Sequence, residues 1–231
     1  MRNKWFWKCV DILTVDSCRC CGNELLEGEE LVCLECQMHF PLVDSAQEQT
    51  PLWQLMVGKV PFRHATTLAY YQPHDAFARL IQDAKFRGQP YTNSFLTRLL
   101  LQQLEGSGWP YDIDLIMPVP MHWLRFLKRG YNQVSPIVHT LSEVWHVPYE
   151  KRCLVRKRYV KSQLKANGEE RLRNEAGTFR IRHPERLQGK HILLVDDVST
   201  TGSTLLACAD ALLQVEGVSI SFLTLGLTLH I

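Results

Sequence analysis

Apolar positions along the chain change period several times, and the changes mark out alternating strands and helices. Ile192 to Val195 are consecutive apolar residues, a run short enough for a strand buried on both faces. The stretch from Thr204 to Val215 reads as a helix, and Ser219 to Leu229 as the next strand. Upstream, Asp75 to Lys85 sets Phe77, Leu80, Ile81 and Ala84 at helical spacing, and Ser94 to Leu104 is a second helix closed by Gly106 and Gly108. Ala65 to Tyr71 and Leu115 to Val119 are strand candidates, Asn132 to Val144 is a helix, Tyr149 to Val155 is a weak strand and Phe179 to Ile181 a short one. Residues 156–178 are charged and lack an apolar period, so a mobile loop is expected there. Strands alternating with helices predict an α/β fold, a mainly parallel sheet flanked by helices on both faces.

The pattern is weaker before Pro61, and the division expected is threefold. Residues 1–45 hold a short amphipathic helix (Met1 to Leu13) and a cysteine-rich module, 46–64 form a connector, and 65–231 form the α/β domain. Lys8 and Asp11 interrupt the first apolar run, so neither a signal peptide nor a membrane span is expected. Five of the eight cysteines fall between Cys18 and Cys36. That grouping points to a metal rather than to a disulfide framework, and so to the reducing cytoplasm.

The cysteines fall into two knuckles, Cys18-x₂-Cys21 and Cys33-x₂-Cys36, separated by eleven residues. Each knuckle turns tightly enough to put two thiolates on one ion, and together they supply a tetrahedral sulfur shell for a structural Zn²⁺. Cys20 blurs the register and His39 is an alternative ligand. A module of about forty residues buries too little surface to fold without such help.

Charge changes the picture further. The net value is only +2, but residues 1–60 carry five basic and nine acidic side chains, whereas 151–190 carry thirteen basic and four acidic. The basic stretch, with Arg156, Lys157, Arg158, Lys161, Lys165, Arg171 and Arg173, is a candidate polyanion contact. Arg129 adds positive charge after the turn Pro118-Val119-Pro120.

The densest chemistry follows the apolar run at Ile192. Asp196 and Asp197 come next, then Ser199, Thr200, Thr201, Gly202, Ser203 and Thr204, and then the helix. A strand opening through such a loop into a helix aims backbone N–H groups at one point, with the positive end of the helix dipole behind them. That suits a phosphate, and the paired acids can bind sugar hydroxyls or a hydrated Mg²⁺. Gly202 is expected to let a phosphate approach the backbone.

This segment resembles the phosphoribosyl-pyrophosphate (PRPP) motif of type I phosphoribosyltransferases. With the cysteine knuckles, Pro118-Val119-Pro120, Arg129-Gly130-Tyr131-Asn132-Gln133, Ser162-Gln163 and Gly177-Thr178-Phe179, the order of motifs is similar to the ComF (competence protein F) family, including its GntX-type members. The resemblance implies a type I phosphoribosyltransferase-like domain behind a small zinc module, and a role in the uptake or use of external DNA. It also implies that Pro118 to Pro120 form the pyrophosphate loop, that the basic loop closes over PRPP, and that Mg²⁺ accompanies PRPP. The partners implied are single-stranded DNA, PRPP or a nucleotide phosphate, and a DNA-uptake helicase or other uptake proteins. Thr200 stands where some transferases carry an acid proposed as a base, so purine-base chemistry is disfavoured. An accessory protein that binds DNA, an active phosphoribosyltransferase of unknown acceptor, and a non-catalytic PRPP sensor all remain open at this level.

Overall fold

The computed structural model describes residues 17–73, 75–86, 90–110, 112–121, 132–156 and 178–228. Its centre is a four-stranded sheet of β1 (Ala65–Tyr70), β2 (Leu115–Pro118), β5 (His191–Ser199) and β6 (Ser219–Leu227), in the order β1-β6-β5-β2. All three pairings are parallel, as the alternating pattern predicted. Ile192, Leu193, Leu194 and Val195 are wholly buried, which explains why this strand reads as an unbroken apolar run. A separate antiparallel pair joins β3 (Leu154–Arg156) to β4 (Phe179–Ile181).

Both faces of the sheet are covered. On one lie α3 (Ala76–Phe86), α4 (Pro90–Leu104) and α5 (Val134–Trp145), which bury Phe77, Ile81, Leu96, Leu100, Ile137 and Leu141 against Leu193, Val195 and Leu223. On the other lie α2 (Pro51–Met56), α6 (Ser203–Leu212) and the β3–β4 pair, whose Leu52, Met56, Leu206, Leu212 and Phe179 pack on Met117, Leu194 and Phe222. Helix α4 begins four residues before the expected Ser94. Pro90 opens it, since the N–H that proline lacks has no partner in a first helical turn.

Within the stretch read as a connector, Thr50 caps α2 by accepting from the Trp53 N–H at 3.2 Å, and Pro51 takes the first helical position. The cysteine-rich segment contains α1 (Leu34–Met38) and runs onto the free edge of β1. There Leu42 bridges Ala69 antiparallel, the Val43 N–H donates to the Leu68 carbonyl at 3.0 Å, and the Tyr70 N–H donates to the Pro41 carbonyl at 2.9 Å. Among the described residues no helix is long and apolar enough to cross a membrane. The expected N-terminal amphipathic helix lies outside the described residues, as does most of the expected mobile loop.

Candidate phosphate recess and cysteine centre

Strand β5 does not stop at Val195. Asp196, Val198 and Ser199 continue in register with Thr224, Gly226 and Leu227 of β6, so the twin acids lie within the strand rather than beyond it. Pairing on the β2 side ends sooner, at Pro118 opposite Val195, where the Val119 N–H makes a last bond to the Val195 carbonyl at 2.8 Å. Residues 196–199 therefore have a strand neighbour on one side, and on the other the sheet opens at its carboxyl edge. That is where open α/β sheets bind ligands.

A recess of about 40 Å³ occupies this edge. It is lined by Asp196, Val198 and Ser199 of the strand, Thr200 and Gly202 of the loop, and Ser203, Thr204 and Leu205 of the first turn of α6. First-turn amides have no partner within a helix and carry the positive end of its dipole. Ser199 is only 4% exposed, and its Oγ is buried without a hydrogen-bond partner among the described residues. The lining is otherwise mostly polar, with a carboxylate and three hydroxyl-bearing loop and helix residues around the space, which suits an oxygen-rich ligand. The space is on the order of one small group, more than a single water needs.

Not every expected residue lines the recess. Thr201 turns its Oγ1 to the Ser203 hydroxyl at 3.2 Å and accepts from the Ser203 N–H at 3.4 Å, bracing the loop instead. The Asp197 N–H donates to Asp196 Oδ1 at 2.9 Å and the Val198 N–H to Asp197 Oδ1 at 2.7 Å, so each carboxylate is held close to the strand. Val119 is buried behind the end of β2, and Pro120 is half-buried beside it. The cis peptide among the described residues precedes Pro110, not Pro118 or Pro120.

Gly202 lines the recess and has a second reason besides the one expected. Its φ is +75°, a region side chains rarely adopt, and a Cβ there would fall 2.9 Å from Met56 Cε and 3.3 Å from Leu55 Cδ2. The positive φ makes glycine the fitting residue, and the tips of two α2 side chains fill the space a Cβ would take. Sequence reasoning missed this helix, although Thr50-Pro51 followed by Leu52, Leu55 and Met56 is a short cap-and-face signal.

Of the basic candidates, Arg156 is described. It lies on β3 opposite Phe179, its guanidinium 5.4 Å from that ring's centroid. Arg129, Lys157, Arg158, Lys161, Lys165, Arg171 and Arg173 lie outside the described residues. Apart from His39, none of the histidines drew a role from the sequence, yet His191 is 2% exposed and fully engaged. Its ring nitrogens meet Asp112 Oδ1 at 3.0 Å and Ser221 Oγ at 2.9 Å, and its N–H donates to Asp114 Oδ2 at 2.7 Å. This network pins the far end of β5, opposite the recess.

The second centre is the cysteine cluster. The Sγ atoms of Cys18, Cys21, Cys33 and Cys36 all lie within 4.8 Å of one another. Cys21 and Cys33 are 3.8 Å apart, matching the edge of a tetrahedron with zinc–sulfur bonds of about 2.3 Å. The Cys33 and Cys20 N–H groups donate to Cys18 Sγ at 3.3 and 3.4 Å. Burial pushes the Cys18 thiol up, but hydrogen bonds from the Cys33, Cys21 and Cys20 backbone outweigh it and bring it down to about 6. Burial raises Cys20 to about 12, and Cys20 stands outside the cluster. His39 Nδ1 lies 2.7 Å from the Glu35 carbonyl and is also outside. The four residues present fit a metal ion, with no fifth protein ligand among the described residues.

The sequence profile of the phosphoribosyl transferase domain family matches residues 97–226, which span β2, the recess and α6. The chain is 29% identical over 189 residues to the DNA utilization protein YhgH of Escherichia coli, covering 80% of this chain and 79% of that protein. It is 27% identical over 192 residues to Competence protein F of Haemophilus influenzae, covering 81% of this chain and 74% of that protein. These relatives bear out the resemblance to the ComF family. Among solved structures, adenine phosphoribosyltransferase from Saccharomyces cerevisiae aligns with a TM-score of 0.37 at 17% identity, over 61% of this chain and 72% of that one.

Proposed function

The chain belongs to the phosphoribosyl transferase domain family, and we propose that it serves the handling of DNA taken up from outside the cell, binding single-stranded DNA and carrying a PRPP or nucleotide-phosphate site at the turn from β5 to α6. Relatives named DNA utilization protein and Competence protein F support the role. The observation that carries the ligand site is the recess at the first turn of α6, lined by Asp196, Thr200, Gly202, Ser203 and Thr204. In this reading the first-turn amides and the Thr200, Ser203 and Thr204 hydroxyls hold the phosphate, while Asp196 and Asp197 take the sugar hydroxyls or a hydrated Mg²⁺. Pro118 to Pro120, at the end of the neighbouring strand, border the pyrophosphate. Arg129 and the basic run from Arg156 to Arg173 meet the nucleic-acid backbone. Cys18, Cys21, Cys33 and Cys36 hold a structural Zn²⁺, and four protein ligands leave it no open position for catalysis.

A second reading, an active phosphoribosyltransferase, is favoured by the extent of the family profile, which takes in the whole strand-loop-helix unit. A nucleophile would then displace pyrophosphate from PRPP, with developing positive charge on the sugar met by Asp196 and Asp197.

Calorimetric titration of the zinc-replete protein with PRPP–Mg²⁺ and with a short single-stranded oligonucleotide, separately and then together, tests both ligands. PRPP–Mg²⁺ is expected to bind, and Asp196→Asn with Asp197→Asn to weaken it by at least about tenfold, as expected for lost charge-assisted contacts, with zinc content unchanged. Oligonucleotide affinity should fall steeply with added salt. Unchanged PRPP binding by the double variant removes the site assignment; salt-insensitive oligonucleotide binding, or none, removes the DNA role. Pyrophosphate release on adding bases or amines would decide for the transferase.

A further inference from the structure

We infer that Met56, at the end of α2, is a positioning residue for the phosphate loop: its thioether fixes where Gly202 stands and, through Gly202, where the first-turn amides of α6 point. This rests on the phosphate site proposed above. Met56 is fully buried and does not line the recess, so it acts without touching the ligand. The space beside Gly202 is filled by its Cε at 2.9 Å and Sδ at 3.4 Å from the place a Cβ would take. Gly202 is the N-cap of α6 and makes no side-chain cap, so the residue that begins the helix is located by what lies beneath it.

What lies beneath is itself anchored. Thr50 Oγ1 donates to the Ala65 carbonyl at 2.6 Å while capping α2, and Leu52 and Met56 are both buried in the core of that sheet face. The loop is thus held between a helix tied to β1 and the end of β5. Hydrogen bonds from amides to an anion need distances near 2.8 Å, so a loop free to sink by a fraction of an ångström loses contacts it would otherwise make. The same anchoring separates Met56 from the cysteine cluster. Ser45 Oγ donates to the Thr67 carbonyl at 2.7 Å and Thr66 Oγ1 to the Ser45 carbonyl at 2.8 Å, upstream of Thr50. A change at residue 56 should therefore leave metal content alone, which gives a control for folding.

The test is a binding and unfolding cycle on the full-length, zinc-replete chain, with PRPP–Mg²⁺ as the probe in calorimetry. Met56→Ala is expected to weaken binding roughly 5- to 30-fold with zinc stoichiometry unchanged, and the volume-conserving Met56→Leu to stay within about threefold of the unaltered protein. Gly202→Ala should be at least as harmful alone, yet cost a distinctly smaller factor when added to Met56→Ala, because the clash partner is gone and the backbone strain at positive φ remains. Unaltered binding by Met56→Ala, or a Gly202→Ala penalty equal in both backgrounds, overturns the inference. If the unaltered protein fails to bind PRPP–Mg²⁺, the phosphate site itself is refuted. Coupling between 56 and 202 in thermal unfolding would then mark the contact as packing alone and overturn the positioning role.

Discussion

His64 stands half-buried at the amino edge of the sheet, its ring 5.9 Å from Trp109 and 6.4 Å from His191. Burial lowers its pKa and His191 lowers it further, while Asp112 and Glu48 oppose the shift and Arg63 reinforces it. The folded state therefore takes up a proton on His64 less readily than the unfolded chain. Its contribution is complete above the unfolded value near 6.5 and is lost as pH falls through that value toward the lower folded one. Asp112 behaves alike in a separate window. Its hydrogen bond from Arg63 holds the carboxyl below the usual range despite opposing burial, so its stabilisation is lost only in stronger acid. Melting temperature should drop between pH 7.5 and 5.5, and His64→Gln should flatten that drop. An equal slope in the variant would show that His64 is not the group responsible. At this scale the sequence was most legible where chemistry dictates spacing. Cys18, Cys21, Cys33 and Cys36 could be picked from their two-residue gaps, although Cys20 blurred the register. Gly202 was picked for a less complete reason, since the side chain that fills the space beside it belongs to Met56, far earlier in the chain, and no local pattern reports so distant a neighbour.

Helix α2 shows how elements are read and missed. Six residues give too little periodicity to announce a helix, and the short apolar face hides in a stretch that otherwise looks like a linker. What makes it hold is Thr50, a wholly buried side chain that both caps the helix and bonds to the Ala65 carbonyl of β1. Thr50→Ala removes the cap and leaves that carbonyl without its side-chain donor. Denaturant unfolding should show a loss of about 1–3 kcal/mol, and Thr50→Ser should recover most of it. A loss within error would mean that α2 is held by its apolar face alone. The longer elements were legible because they obey a single period: β5 and β6 as buried runs, α3 and α5 as amphipathic helices. Strand β5 outran its apolar residues because β6 continues beside it, so pairing carried the acids into the strand. Hydropathy alone ends at Val195, since charged side chains at a sheet edge look the same as the start of a loop.

Across the whole molecule, the cysteine segment and the α/β sheet share one core. Cys18, Val32, Cys33 and Phe40 are buried in the same cluster as Leu68, Phe77, Leu96 and Leu193, and Phe40 meets Phe77 edge-on with centroids 5.6 Å apart. The boundary expected at residue 45 is thus a thermodynamic question rather than a spatial one. The segment is far too small to fold by its own burial, so the free energy that orders it comes from the sheet it covers and from the metal its four cysteines could bind. If the cysteines hold an ion, removing it leaves four sulfurs within 4.8 Å of one another with nothing to tie the two knuckles together. If the segment then unfolds, it uncovers Leu68 and Phe77 and frees the edge of β1 that Pro41 and Val43 had paired. Chelation should therefore lower the melting temperature of the entire chain in one cooperative transition, by roughly 10 °C or more, rather than split off an early minor step. Replacing Cys21 and Cys36 by Ser should reproduce the shift without chelator. A calorimetric trace in which a small transition moves while the main one stays fixed would instead make the cysteine segment an independent unit resting on the sheet, and would confine the metal's influence to the residues that bind it.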